Sequence, residues 1–183
     1  TVSENCKKAG LRDIGIYKLE VATGGGKTFA SLRFALEHAK HHKLDRIIYV
    51  IPYLSIISQS AKEIRTALNL DEDTVLEHHS DFLPDDEQFY KLHTNRWDAT
   101  IILTTQVQFL ESIFSSKGSD LRKFHSMANS VLIFDEAQSI PIKCIHLFNS
   151  AMNFINTVCK STILLCTATQ PPYEDALRRL NFS

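Results

Sequence analysis

Gly15-Ile16-Tyr17-Lys18-Leu19-Glu20-Val21 reads as a strand, Ala22-Thr23-Gly24-Gly25-Gly26-Lys27-Thr28 as a glycine-rich turn, and Lys27 to about His42 as a helix. Glycine is scarce, at 6 residues, yet three of them are consecutive here, which marks backbone that bends sharply or approaches something closely. Phe29, Leu32, Leu36 and Ala39 are spaced to give the helix one buried face. A strand, a glycine turn running into Lys-Thr, and a helix form the context that a phosphate-binding loop requires. The loop's amides can point inward around a phosphate, and the helix adds its positive end. In that reading Thr23, Gly24, Gly25 and Gly26 line a nucleotide, Lys27 reaches its β and γ phosphates, and the Thr28 hydroxyl ligates Mg2+. One departure is visible, because the generic pattern GxxxxGK[ST] has glycine where Val21 stands. The alternative is a plain glycine turn ahead of Lys-Thr, and the flanking strand and helix weigh against it.

Outward from this stretch, strands and helices alternate. Arg46–Ile51 (RIIYVI) is a β-branched run ended by Pro52, as expected of a strand buried on both faces. Ser55 can cap a helix carrying Ile56, Ile57, Ile64 and Leu68. Residues 75–79 suggest a short strand, 84–92 a short helix, 99–104 a strand and 106–114 a helix. A short helix to Met127, a strand over 131–134, a long helix over 142–159, a strand over 162–166 and a last helix over 173–180 complete the pattern. Such alternation implies right-handed crossovers and a parallel sheet between two layers of helices, an α/β class.

Asp135-Glu136-Ala137-Gln138 follows the apolar run VLIF, 108 positions beyond Lys27. An acid at a strand's carboxyl end can hold Mg2+, here Asp135, and its neighbour Glu136 can polarise an attacking water. Two adjacent acids also suit an ordinary helix start. Combined with an upstream phosphate loop, they favour the catalytic reading.

At these residues the chain resembles superfamily 2 helicases, in which TGxGKT, a DEAx box and an S/TAT motif follow in that order. Thr23–Thr28, Asp135–Gln138 and Thr167-Ala168-Thr169 match them. Pro52-Tyr53-Leu54-Ser55 and Thr104-Thr105-Gln106 stand where that family contacts the bound strand. Together with LEHHS, WDATIILTTQVQF and LLCTATQPP, these motifs resemble the helicase part of the CRISPR-associated helicase–nucleases of type I systems, over roughly residues 15–172. The resemblance implies a RecA-like fold, ATP and Mg2+ as cofactors, and translocation on single-stranded DNA after recruitment by a guide-RNA surveillance complex. It also implies that Gln138, Thr167, Ala168 and Thr169 couple the nucleotide to the strand. That family carries an HD nuclease domain and a second RecA-like domain. No His is followed by Asp here, so the expectation is a first RecA-like lobe of a larger protein. Its isolated turnover should be slow without the second lobe's arginine finger. A nucleotide-binding docking module without turnover and a motor acting on RNA are the competing functions.

The 183 residues suit one domain, and an apolar share of 44% with a net charge of −1 excludes a disordered chain. No apolar run approaches the roughly 18 residues needed to span a bilayer. Nothing in the balanced charge demands a nucleic-acid partner; in the helicase reading, strand binding would rest on backbone amides and hydroxyls at helix starts, not on a basic patch. Cys6, Cys144, Cys159 and Cys166 contain no CxxC pair, so a reducing, cytoplasmic setting is expected. His38, His41 and His42 fall at i, i+3 and i+4, a spacing that could bind a metal but is more often just favourable with the dipole at a helix end. Trp97 reads as a core or loop anchor, with base stacking as the alternative. His78-His79 carries no assignable chemistry.

Overall fold

The structure is a computed structural model describing residues 1–22, 26–71, 74–78, 97, 99–115 and 118–168, the side chains of 118–121 excepted. Six strands, β1 (Ile16–Glu20), β2 (Arg46–Ile51), β3 (Val75–His78), β4 (Ile101–Thr105), β5 (Ser130–Phe134) and β6 (Thr162–Thr167), form one sheet. Its order is β1-β6-β5-β2-β4-β3, and every neighbouring pair is parallel. The described helices are α1 (Val2–Ala9), α2 (Lys27–His42), α3 (Ile57–Leu68), α4 (Gln106–Phe114), α5 (Gly118–Ser126) and α6 (Ile145–Thr157).

Strands buried on both faces must send alternate side chains into two separate cores. Ile47, Tyr49, Ile51, Leu103, Ile133 and Cys166 pack with Phe34 and Ala35 of α2 and Ile57 and Ile64 of α3. Ile48, Val50, Ile102, Leu132, Phe134 and Leu165 pack instead with Phe109 of α4 and Phe148, Met152 and Ile155 of α6. The expected three-layer α/β fold is therefore present. All strands being parallel, the loops carrying the motifs leave the sheet at one edge, where open α/β sheets bind ligands.

Several local expectations are corrected. The buried stripe of α2 is Lys27, Ala30, Ser31, Phe34, Ala35 and His38, joined by Leu32, whereas Phe29 is 48% and Leu36 37% exposed. The face that meets the sheet runs through positions 27, 30, 31, 34, 35 and 38, and that phase leaves Phe29 and Leu36 on the outer side. Ser55 does not cap α3: it lies in a 3-10 turn, Leu54–Ile56, and Ile56 precedes the helix without a side-chain cap. The helix expected over 142–159 opens as a 3-10 turn, Ile142–Cys144, and becomes α-helical only over Ile145–Thr157. The helices expected over 84–92 and 173–180 lie outside the described residues.

Helix α1 was not expected. Thr1 caps it by accepting the Glu4 N–H at 3.3 Å, and Arg33 of α2 reaches Ser3 and Glu4. A Cβ added at Gly10 would stand 2.8 Å from the Glu37 Cβ and 3.1 Å from the Phe34 carbonyl oxygen, so glycine is what lets α1 approach α2. His38 is a buried strut joining three elements, not a ligand at a helix end. Its Nδ1 is 2.9 Å from the Gly10 carbonyl and its Nε2 2.7 Å from the Thr162 hydroxyl. Among the described residues no cluster of His, Cys, Asp and Glu could hold a metal ion. Trp97 is fully buried, edge-on to His78 with ring centres 5.8 Å apart, and its carbonyl accepts from Arg46, so it anchors a loop.

Candidate nucleotide and strand site

Lys27 opens α2 directly after Gly26, whose φ of 73° lies in the left-handed region. A Cβ there would meet no protein atom within 4 Å, so glycine is required by backbone conformation and not by crowding from the protein. The turn aims Lys27 at the carboxyl end of β5. Its ammonium stands 3.1 Å from Asp135 Oδ1 and donates a hydrogen bond to Glu136 Oε1. Burial disfavours the charged amine, but the bond to Glu136 and the charge of Asp135 outweigh it and raise the Lys27 pKa. Burial likewise pushes the Glu136 carboxyl up, yet donors from Lys27 and Gln138 outweigh it and hold the group below the usual range.

The acidic pair is held by its backbone. The Asp135 N–H donates to the Val50 carbonyl of β2 at 2.9 Å, and the Glu136 N–H to Asp135 Oδ1 at 2.9 Å. Glu136 has φ 47° and ψ 49°, a left-handed conformation that costs a non-glycine residue roughly 1–2 kcal/mol. Such a residue persists only where its surroundings over-determine it. Here the 3-10 turn Ala137–Ser139 follows at once, the Ser139 N–H donates to the Glu136 carbonyl at 2.8 Å, and Ala137 is buried.

Beneath the loop, the Ser31 hydroxyl donates to the Thr28 carbonyl at 2.9 Å and lies 3.4 Å from the Tyr49 hydroxyl, which also interacts with the Thr28 side chain. Burial, then the charge of Asp135, holds the Tyr49 phenol well above its ordinary value, so it remains a neutral donor. Burial also pushes the Cys166 thiol up. Tyr49, Ser31 and Ser139 were not singled out from sequence. The alternation of β2 marks Tyr49 as inward-facing, but nothing local announces what its hydroxyl meets.

The structure brings Lys27, Asp135, Glu136 and Gln138 together, and it ties Thr167 to the residue that follows β1, the Val21 N–H donating to the Thr167 carbonyl at 3.3 Å. Thr167 is buried at the end of β6 and Ala168 is half-buried. Thr23, Gly24, Gly25 and Thr169 lie outside the described residues. Pro52, Tyr53 and Ser55 leave the end of β2, with Tyr53 62% exposed. Thr104, Thr105 and Gln106 are buried at the end of the neighbouring β4. The Thr104 hydroxyl donates to the His78 carbonyl, Thr105 caps α4 by accepting the Gln108 N–H, and Gln106 Nε2 donates to the Ser139 hydroxyl at 2.7 Å. The exposed side chain at this helix start is Val107, at 61%.

A family model describing DEAD/DEAH box helicases matches residues 11–176. The chain belongs to the DEAD/DEAH box helicase family. This helicase domain is 27% identical, over 180 residues, to the CRISPR-associated nuclease/helicase Cas3 of Haloferax volcanii, covering 85% of the chain and 19% of that relative. The chain thus spans about a fifth of the length of the curated relative it matches. Its fold is similar to that of T. fusca Cas3 with AMPPNP, at TM-score 0.74 and 19% identity over 90% of this chain and 21% of that one. The ADP form of the same protein gives 0.72 and 20%, over 91% and 19%. The DEAD-box helicase Mss116 bound to ssRNA and UDP-BeF gives 0.69 and 17%, over 100% and 38%. The fold is accordingly that of a RecA-like helicase lobe. No described helix is long and apolar enough to cross a membrane.

Proposed function

We propose that this helicase domain is the ATP-binding first lobe of a Cas3-like motor that translocates on single-stranded DNA in CRISPR interference, a defence against invading DNA carried out in the cytoplasm. The observation that carries the reading is the Lys27 ammonium bridging Asp135 and Glu136 at the mouth of a glycine turn. Lys27 is positioned to exchange its carboxylates for the β and γ phosphates of ATP, with Thr23 to Thr28 supplying backbone donors and a hydroxyl. Asp135 and the Thr28 hydroxyl form an all-oxygen donor set that suits Mg2+, and a cation, the Lys27 ammonium, already sits against that carboxylate. When bound, Mg2+ supplies neutralisation of phosphate charge. Glu136, kept ionised by its donors, takes the proton of the attacking water, and Gln138 holds the carboxylate in place. Thr167, Ala168 and Thr169, adjoining the loop, relay its state.

The strand lies across the carboxyl ends of β2 and β4, against Pro52, Tyr53 and Ser55 and the start of α4 at Thr104, Thr105 and Gln106. With those side chains buried, the first free N–H groups of α4 are the donors offered to phosphates. The likeness to a fifth of Cas3 supports a place beside an HD nuclease domain and a second RecA-like domain, with recruitment by a guide-RNA surveillance complex. The intact Glu136 favours turnover over a docking role.

Lys27→Ala should abolish measurable binding of a fluorescent ATP analogue, and an unchanged dissociation constant would sink the assignment. Glu136→Gln should keep binding while removing phosphate release, assayed on this chain and on a longer one. Stimulation by single-stranded DNA but not by RNA of the same length is the expected substrate preference, and the reverse pattern would replace DNA with RNA.

A further inference from the structure

Two of the motifs are joined by a side-chain bond that neither accounts for alone. Gln106 begins α4, immediately after β4; Ser139 ends the 3-10 turn that follows β5. In the sheet β2 lies between those strands, so the 2.7 Å bond from Gln106 Nε2 to Ser139 Oγ passes over the end of β2, from which Pro52 and Tyr53 emerge. Gln106 is buried, and its position is fixed by the Thr105 cap one residue earlier. Ser139 in turn grips Glu136 through the backbone, its N–H donating to the Glu136 carbonyl at 2.8 Å.

We infer that Ser139 is a positioning residue that couples the strand-contact helix α4 to the catalytic acid Glu136. This inference rests on the nucleotide and strand sites proposed above. Glu136 occupies a left-handed backbone conformation and its carboxylate is held on one side by Lys27 and on the other by Gln138. When phosphate draws Lys27 away, one of those restraints is lost, and the turn Ala137–Ser139 becomes the segment free to readjust. Whatever the turn does is delivered to Gln106 through the Gln106–Ser139 hydrogen bond, and from there to the amides at the start of α4. The path runs equally in reverse. A strand that fixes the start of α4 holds Ser139, and thereby the Glu136 backbone, in one arrangement. Coupling between two binding events is reciprocal, so it can be read without turnover.

The test uses this chain, a fluorescent ADP analogue with Mg2+, and a 20-nucleotide oligo-dT. The wild-type chain should show a nucleotide dissociation constant that changes by about fivefold or more when saturating oligonucleotide is added, the lower range for allosteric pairs. Ser139→Ala should reduce that change to less than about twofold, while each ligand alone binds within about threefold of wild type. Ser139→Thr, which keeps the hydroxyl, should restore the coupling. Full coupling in Ser139→Ala, or none in the wild type when both ligands bind, overturns the inference. So does loss of either separate affinity in Ser139→Ala, which marks a purely structural role. A wild-type chain that binds no nucleotide overturns instead the site reading beneath it.

Discussion

Acid should loosen this domain at His38, and the size of the effect follows from its surroundings. The ring is fully buried, stacked on Phe34 at 5.2 Å and edge-on to Tyr17 of β1. The Gly10 carbonyl can only accept, so Nδ1 carries the proton and Nε2 accepts from the Thr162 hydroxyl of β6, whose oxygen in turn accepts the Gly15 N–H at 3.4 Å. Burial, then the neighbouring His42, with a smaller push from His41, lowers the His38 pKa from 6.5 to about 4, against the raising effect of the Gly10 bond. The folded value lies below the unfolded one, so between them the unfolded chain binds more protons, and stability falls as pH drops through that window. At 1.36 kcal/mol per pKa unit, the full effect is on the order of 3 kcal/mol, most of it lost between roughly pH 7.5 and 4.5. Urea unfolding of the wild type and His38→Gln at those two pH values isolates this contribution from the carboxylates, which are common to both. The pH-dependent loss in the variant should be smaller by roughly 2–3 kcal/mol. Equal losses in the two proteins would refute the tautomer and the burial argument together.

Other consequences are simpler to read. Lys43 ends α2 with φ 56°, so Lys43→Gly should raise stability by about 0.5–1 kcal/mol in thermal unfolding. Thr105→Ala removes the α4 cap and should cost about 1 kcal/mol, measured by the same melt. All four cysteines are free; burial raises the thiol pKa of Cys6, Cys159 and Cys166, but only Cys6 and Cys166 are shut away from solvent. A thiol reagent should therefore modify Cys144 and Cys159 in the native protein and reach the other two only after unfolding.

What was legible in the sequence was whatever announces itself within a dozen residues. The glycine run marked the turn between β1 and α2, and continuous apolar runs such as RIIYVI marked strands covered on both faces. Bulk misled where size and burial part company: Phe29 and Leu36 look like the inner face of α2, yet the buried face is set by Phe34 and Leu32 together with the small Ala30, Ser31 and Ala35. Helix α1 had a readable start, since Thr1 and Glu4 have the spacing of a capping box, but eight residues with few apolar positions give almost no periodicity. The supports of the site stayed hidden for a different reason. Gln106 meets Ser139 across 33 positions and Ser31 meets Tyr49 across 18, distances over which spacing carries no information. His38 was visible as a histidine cluster, but its partner Thr162 lies 124 positions away.

The pairing of the first strand with the last also dictates a timetable. Among the described strands β1 pairs with β6 alone, Ile16 meeting Ile163, so the strand that leads into the glycine turn has no described neighbour until β6 exists. At synthesis rates of about 5–20 residues per second, the emerging chain carries that unpaired edge for roughly 7–30 s. Only when β6 leaves the ribosome can β1 dock, His38 find Thr162, and the loop settle beside the TAT stretch. Nucleotide should therefore be captured only after β6 has emerged, and a chain cut short before Thr162 should leave β1 exposed to aggregation.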